Sequence, residues 1–321
     1  MNNDMRDYID RCNEQVFLPP FVATIADFFG FAVRANHKIL NERICDRFLN
    51  IPLNVQGRFT ALQYVIFVFN TVTDARSEDY HYKDRGTFSY QEAAVWMLVA
   101  DNKRRKLHWF QPYIFVDDPY AMLAGREIYG FPKTLGSFHI PNGPNPPDRL
   151  WVKAPVVKAP EGMGSHALLF EVGRPPGSTN TCSECSEEED FFMQVLGNLN
   201  VTVEYFRGFG FEEDLAKSFY DDLRKMELPM IFLKQFRYGV NPAQAEGAGV
   251  QEAKSQITKF RGGRIYGGGR IYDSSYEIAI NDVYSHQIRE FLGLDKGQLP
   301  IDLAFWMSLD FRLGRCTLIP E

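Results

Sequence analysis

Gly125-Arg126-Glu127-Ile128-Tyr129-Gly130-Phe131-Pro132-Lys133-Thr134-Leu135-Gly136 is the stretch on which the reading of this chain turns. Just upstream, Asp118-Pro119-Tyr120 has the form of a helix start, with an Asp N-cap and a Pro at the first helical position. The pattern predicts a short helix over Tyr120–Glu127, ending near Gly130 and stopped by Pro132. Lys133 therefore follows a constrained backbone and has Tyr129, Phe131 and Leu135 as apolar neighbours. Most lysines are solvated ammonium ions. Burial disfavours the charged form, and a buried lysine can act as an amine nucleophile toward a carbonyl.

Upstream of this stretch the chain reads mostly as strands. Residues 21–34 are dense in aromatic and β-branched residues, which favours a strand, and Asn36 to Phe48 has helical spacing. Strand-like runs follow at Leu62–Val72, Ser89–Ala100 and Leu107–Val116, with Asp74–Gly86 as the longest turn. The basic run Lys103-Arg104-Arg105-Lys106 reads as a solvated hairpin turn. Residues 1–20 suggest a short helix running into Pro19-Pro20. Downstream, Ala167–Val172, Met230–Arg237, Ser255–Phe260, Glu277–Ile280 and Trp306–Leu318 are predicted strands. Glu212–Met226 reads as a surface helix, and Ile288–Leu292 sits in a helix. Residues 173–190 form a polar tract read as a loop insertion. Gly-Gly-Arg-Ile-Tyr occurs twice, at Gly262–Tyr266 and Gly268–Tyr272, and is read as a hairpin or bulge because no helix follows to make it a phosphate cradle.

Composition narrows the class. Of 321 residues, 45% are hydrophobic and 24% charged, which are globular values. With 27 Phe and 15 Tyr, large rings must fill a core or line a pocket. A net charge of -6 argues against nucleic acid or anionic membrane as a partner. The start, Met1 to Asp7, shows no apolar run after a basic segment, and no run approaches the ~18 apolar residues of a spanning helix. A soluble cytoplasmic protein is the expectation. Five cysteines do not make a disulfide framework. Cys182 and Cys185 form a lone C-x-x-C without the second ligand pair of a structural zinc site, and a surface loop is expected there.

The twelve-residue stretch resembles the signature of the acetoacetate decarboxylase family: Gly-Arg-Glu, then an aromatic residue with Pro-Lys, then Leu-Gly. Acetoacetate decarboxylase is also the general example of a lysine activated by desolvation or a neighbouring cation. Ser89-Tyr90-Gln91-Glu92 resembles the family's segment upstream of the lysine, and Pro229–Lys234 through Phe260 resembles its later strands. The resemblance implies one α+β domain over residues 1–321, built on a strongly curved antiparallel β-sheet, barrel-like, with a few peripheral helices. It implies a lyase without cofactor or metal that acts on a small β-keto acid or related oxo acid, in a homo-oligomer. Lys133 would form the Schiff base, Glu92 would position substrate or move protons, and Arg126 would either bind a substrate carboxylate or brace the helix with Glu127.

Three positions depart from the family. Thr134 stands where the decarboxylase has a second lysine. Ala26 falls where it has an arginine, and Tyr64–Phe69 contains no acidic residue where the family often places one. These leave two alternatives open. One is an aldolase-dehydratase on pyruvate-type substrates that uses the same lysine, although Tyr129 occupies the place of that group's glutamine. The other is a non-catalytic binding protein that kept the fold.

Overall fold

The computed structural model describes residues 8–9, 16–175, 182–199, 208, 213–241, 243–266 and 276–320. In chain order the strands are β1 (Phe21–Arg34), β2 (Phe59–Ser77), β3 (Phe88–Asp101), β4 (Lys106–Val116), β5 (Lys133–Leu135), β6 (Ser137–His139), β7 (Arg149–Val157) and β8 (Gly164–Gly173). They continue with β9 (Cys182–Cys185), β10 (Glu227–Arg237), β11 (Ala245–Tyr266), β12 (Glu277–Ile280), β13 (Gln298–Pro300), β14 (Leu303–Leu313) and β15 (Thr317–Leu318). The α-helices are α1 (His37–Leu40), α2 (Pro119–Ala124), α3 (Glu188–Asn198), α4 (Glu213–Arg224) and α5 (Ile288–Leu292). The fold is α+β and mostly strand, as expected.

The long strands read as nearly unbroken apolar runs because both of their faces are buried. On β2, Tyr64, Ile66 and Val68 alternate with Val65, Phe67 and Phe69. The first set packs with Phe28, Phe191 and Phe305. The second joins a separate core with Phe29, Val95 and Phe170. Phe67 and Phe69 meet Phe170 edge-on, at 5.1 and 5.5 Å between ring centroids. Phe170 belongs to the second sheet, ordered β13-β12-β8-β7-β6, which covers the outside of the first.

The first sheet runs β10-β11-β14-β1-β2-β3-β4-β5 and curves until β10 meets β4. A single pairing, Met230 with Trp109, closes this ring of seven strands. The seam is reinforced by charge. His108 Nε2 lies 3.1 Å from Glu252, and both terminal nitrogens of Arg104 donate to Glu252 at 2.8 Å. Arg105 pairs with Asp214 on α4 at 3.4 Å. The basic turn is thus a hairpin, as expected, but Arg104 ties the seam of the ring and Arg105 reaches helix α4.

Other expectations need correction. Cys182 and Cys185 are not in a loop: β9 pairs antiparallel with Gly263–Tyr266 of β11. Three apart on a strand, the two thiols face opposite sides, and among the described residues no third ligand joins them as a metal site. The tract 173–190 therefore holds a strand and the start of α3, and 176–181 fall outside the described residues. The predicted final strand breaks at Gly314, whose N–H donates to the Lys254 carbonyl, leaving β14 and the short β15. β2 runs on through most of the predicted first half of the turn, to Ser77. Gly262, at φ +145°, sits at a register shift, so the first Gly-Gly-Arg-Ile-Tyr is a bulge. The second copy and most of the predicted N-terminal helix lie outside the described residues. No helix of the described residues is long and apolar enough to cross a membrane.

Candidate active site

The motif folds as its residues dictate. Asp118 caps α2 by accepting from Ala121 N–H at 2.8 Å. The helix continues into a π-helical turn over Gly125–Tyr129, in which Gly130 N–H reaches back five residues to the Gly125 carbonyl at 3.1 Å. π-Turns of this kind are frequent at functional sites. Gly130 then takes φ +84°, where a side chain would be strained and its Cβ would strike the Lys234 backbone at 2.6 Å. Across Pro132, Lys133 N–H donates to the Phe131 carbonyl at 2.8 Å, a three-residue turn. Tyr129 hydroxyl donates to the Gly314 carbonyl at 2.8 Å and anchors the turn to the end of β14.

Register brings Lys133 and Glu92 together. Lys133 pairs with Ile114 on β4, and Ile114 with Ala94 on β3. Glu92 lies two residues from Ala94, so both side chains project from the same face, into the ring. Lys133 Nζ is 2.9 Å from Glu92 Oε2, and both residues are buried. The amine also lies 5.1 Å from the Tyr90 ring centroid and 5.4 Å from that of Phe131, within reach of cation–π attraction. Burial first, and then the Glu92 and Asp118 carboxylates, hold the Tyr90 hydroxyl well above its ordinary value, so it stays neutral and can donate a hydrogen bond. Gly125 makes room for this arrangement: a Cβ there would lie 2.7 Å from Lys133 Cδ.

The pair sits at one end of a cavity of about 180 Å³ inside the ring. Among the described residues lining it, Lys133 is the only cation and Glu92 the only carboxylate. Asn70, directly across from Glu92 in the β2–β3 pairing, lines the same end, and its side-chain oxygen has no hydrogen-bond partner. Apolar side chains from α3 and α4, among them Phe191, Leu196 and Phe219, line the other end. The predicted surface helix therefore buries one face in this role.

Arg126 stands apart. Its Nη1 donates to the Lys133 carbonyl at 2.9 Å, but the side chain is exposed and lines a neighbouring cavity with Phe48, Phe110 and Phe236. Phe131 and Gln111 line both cavities and stand between them. Thr134 follows Lys133 in β5, so its side chain points to the opposite face of the strand. Ala26 is fully buried two residues from the cavity-lining Phe28 and places no charge there. Sequence reasoning overlooked Asn70, Gln111 and Gly125. The first two had one signal, a polar residue at an inward position of an apolar strand. Gly125 was visible only as part of the motif.

Residues 47–154, which include Glu92, Arg126 and Lys133, match the family model described as acetoacetate decarboxylase (ADC). No curated protein matches the chain in sequence. Among solved structures, acetoacetate decarboxylase from Legionella pneumophila superposes with a TM-score of 0.59 at 13% identity, covering 99% of this chain and 93% of that one. The enduracididine biosynthesis enzyme MppR complexed with pyruvate gives 0.56 at 12% identity, with 95% and 92% covered. An acetoacetate decarboxylase-like enzyme from Sphingomonas wittichii RW1 gives 0.55 at 13%, with 94% of each chain covered. Residues 47–154 thus match the acetoacetate decarboxylase family model, and the whole chain has the fold of the acetoacetate decarboxylases on which it superposes.

Proposed function

We propose that this protein is a Schiff-base-forming lyase in which Lys133 condenses with the ketone of a β-keto acid or related oxo acid. The observation that carries the reading is the buried Lys133–Glu92 contact of 2.9 Å at the end of a cavity that the described residues leave otherwise uncharged. An ammonium ion cannot attack a carbonyl, and Glu92 is within reach to take its proton. The free amine adds to the ketone carbon, water leaves, and an iminium forms. In a β-keto acid the bond to the carboxyl carbon then breaks, its electron pair moves into the iminium to give an enamine, and CO2 departs. Protonation of the enamine carbon and hydrolysis of the imine return the lysine and release a ketone. Arg126 serves this chemistry by holding the Lys133 carbonyl. Its remaining donors face the neighbouring cavity, the side from which it could meet a substrate carboxylate.

The likeness to MppR, whose structures hold pyruvate and the condensation product of pyruvate and imidazole 4-carboxaldehyde, favours a second reading, in which the same imine is used for aldol condensation and dehydration. Borohydride reduction in the presence of acetoacetate or pyruvate tests the shared step. A mass increase mapped to Lys133 is expected. Absence of labelling, or equal labelling of Lys133→Ala, refutes the reading. Released CO2 then distinguishes decarboxylation from a longer unsaturated oxo acid.

A further inference from the structure

We infer that the carbonyl compound taken by this site carries a linear apolar tail, which lies along the bore of the strand ring with its oxo group at Lys133. The inference rests on the Schiff-base reading above and extends it to the class of substrate.

Three observations carry it. The first is length. Glu92, Trp96 and Leu98 line the cavity from one strand, and six residues of strand span roughly 20 Å. Asn70, Ile66 and Leu62 trace the same path on β2. A void of about 180 Å³ drawn out over that length is narrow, the shape of a chain. For comparison, an apolar cavity of ~150 Å³ takes up benzene.

The second is polarity. The ionisable pair and Asn70 are at one end, and among the described residues no charged side chain lines the bore beyond them. A ligand bound there must have one reactive polar end and an uncharged remainder.

The third is packing. The outward faces of the same strands are filled, with Phe31, Phe67, Phe69, Val95 and Met97 without solvent contact. Inward-facing Tyr64, Ile66 and Val68 retain 7 to 9% exposure, and Trp96, Leu98 and Met307 are only partly buried. Protein interiors are close-packed, so an apolar void bounded by large side chains is a feature to be filled. A substrate the size of acetoacetate would occupy only the Lys133 end.

The test uses the intact protein and a series of freshly prepared β-keto acids: acetoacetate, β-ketohexanoate and β-ketodecanoate. The concentration giving half-maximal borohydride labelling of Lys133 should fall roughly threefold to fourfold per added methylene until the bore is full, a hundredfold or more over the series. Decanol, which has no carbonyl, should protect Lys133 from labelling by acetoacetate. Ile66→Trp, which fills the middle of the bore, should erase the gain from β-ketohexanoate to β-ketodecanoate. Half-maximal concentrations within about threefold across the series, or no protection by decanol, would overturn the tail while leaving the Schiff base intact. A rise in melting temperature with decanol but no labelling by any keto acid would sink the Schiff-base reading, and the substrate assignment with it.

Discussion

Replacing Gly125 with alanine should disable Lys133 without touching a reacting atom. The new methyl carbon would lie 2.7 Å from Lys133 Cδ and 3.0 Å from Cε. Relaxed carbon–carbon contacts are about 3.5–4.0 Å, so the lysine chain must retreat by roughly 1 Å. Its amine now sits 2.9 Å from Glu92, and a shift of that size takes it out of hydrogen-bond range. Misplacement by about 1 Å reduces rates on the order of a hundredfold, equivalent to about 2.7 kcal/mol of barrier. Stability should change far less. Overpacking opposes folding by about 1–3 kcal/mol, whereas alanine in a helical position recovers about 1 kcal/mol relative to glycine. The assay is the initial rate of borohydride labelling of Lys133, measured beside the melting temperature. Gly197→Ala is the control, since a Cβ there meets nothing within 4 Å in helix α3. Wild-type labelling by a folded Gly125→Ala variant would refute the claim that this glycine clears the path of the lysine.

Other outcomes follow from the same geometry. Lys133→Met leaves the Glu92 carboxylate buried without its partner and should destabilise by about 3–5 kcal/mol. The double variant Lys133→Met/Glu92→Leu should recover most of that in chemical denaturation, and failure to recover would mean the two side chains are not coupled. Arg126→Ala removes the bond to the Lys133 carbonyl and should slow labelling about tenfold. Equal slowing with β-keto acids and with uncharged ketones identifies positioning, and slowing confined to the acids identifies carboxylate binding. The ring seam should weaken in acid. Burial lowers the folded-state value of His108 below its reference of 6.5, against the weaker opposing effect of Glu252. The unfolded chain therefore takes up that proton first, and stability falls as pH drops through the reference value. Glu252, held well below the usual carboxylate range by hydrogen bonds from His108 and Arg104, loses its contribution at still lower pH. The melting temperature should decline between about pH 7 and 5, and His108→Gln should flatten that decline. An unchanged slope would exclude His108 as its source.

The strands were legible because their two buried faces write long apolar runs, as in Leu62–Val72 and Ser89–Ala100. Asp118 and Pro119 announced α2 because capping is local chemistry. Closure of the ring was not legible: it depends on Met230 meeting Trp109, more than a hundred residues away in sequence. β9 was misread for a related reason. An edge strand pairs by its backbone, so its polar side chains carried no pattern that distinguished it from a loop. At the site, the motif singled out Lys133, and the separate resemblance of Ser89–Glu92 singled out Glu92. Only three-dimensional register could show that Arg126, seven residues from the lysine, reaches its carbonyl from the other side of Phe131. The role of α3 and α4 as the apolar end of the cavity was equally hidden, because an amphipathic helix reads the same whether its apolar face meets a core or a ligand.

If Lys133 is the nucleophile proposed above, Thr134 raises the question of how it is activated without the second lysine of the decarboxylase, and strand geometry narrows the answer. Residue 134 faces away from the cavity, so the groups that can act on the amine are those around it inside the ring: Glu92, the Tyr90 and Phe131 rings, and Asn70. Among the described residues no other cation lines the cavity to repel an ammonium there. The remaining route is proton transfer within the pair. The two groups are 2.9 Å apart, close enough for the proton to pass directly from one to the other. On the proposed mechanism Glu92 would act as base for imine formation and as acid when the imine hydrolyses. Glu92→Gln keeps the shape and a hydrogen-bond acceptor but accepts no proton, so labelling at neutral pH should fall on the order of a hundredfold to ten-thousandfold. The residual rate should climb with pH as hydroxide replaces the missing base, whereas the wild type should show a plateau. Labelling of a folded Glu92→Gln variant at the wild-type rate and with the wild-type pH profile would show that the contact positions the amine and leaves its proton to another group.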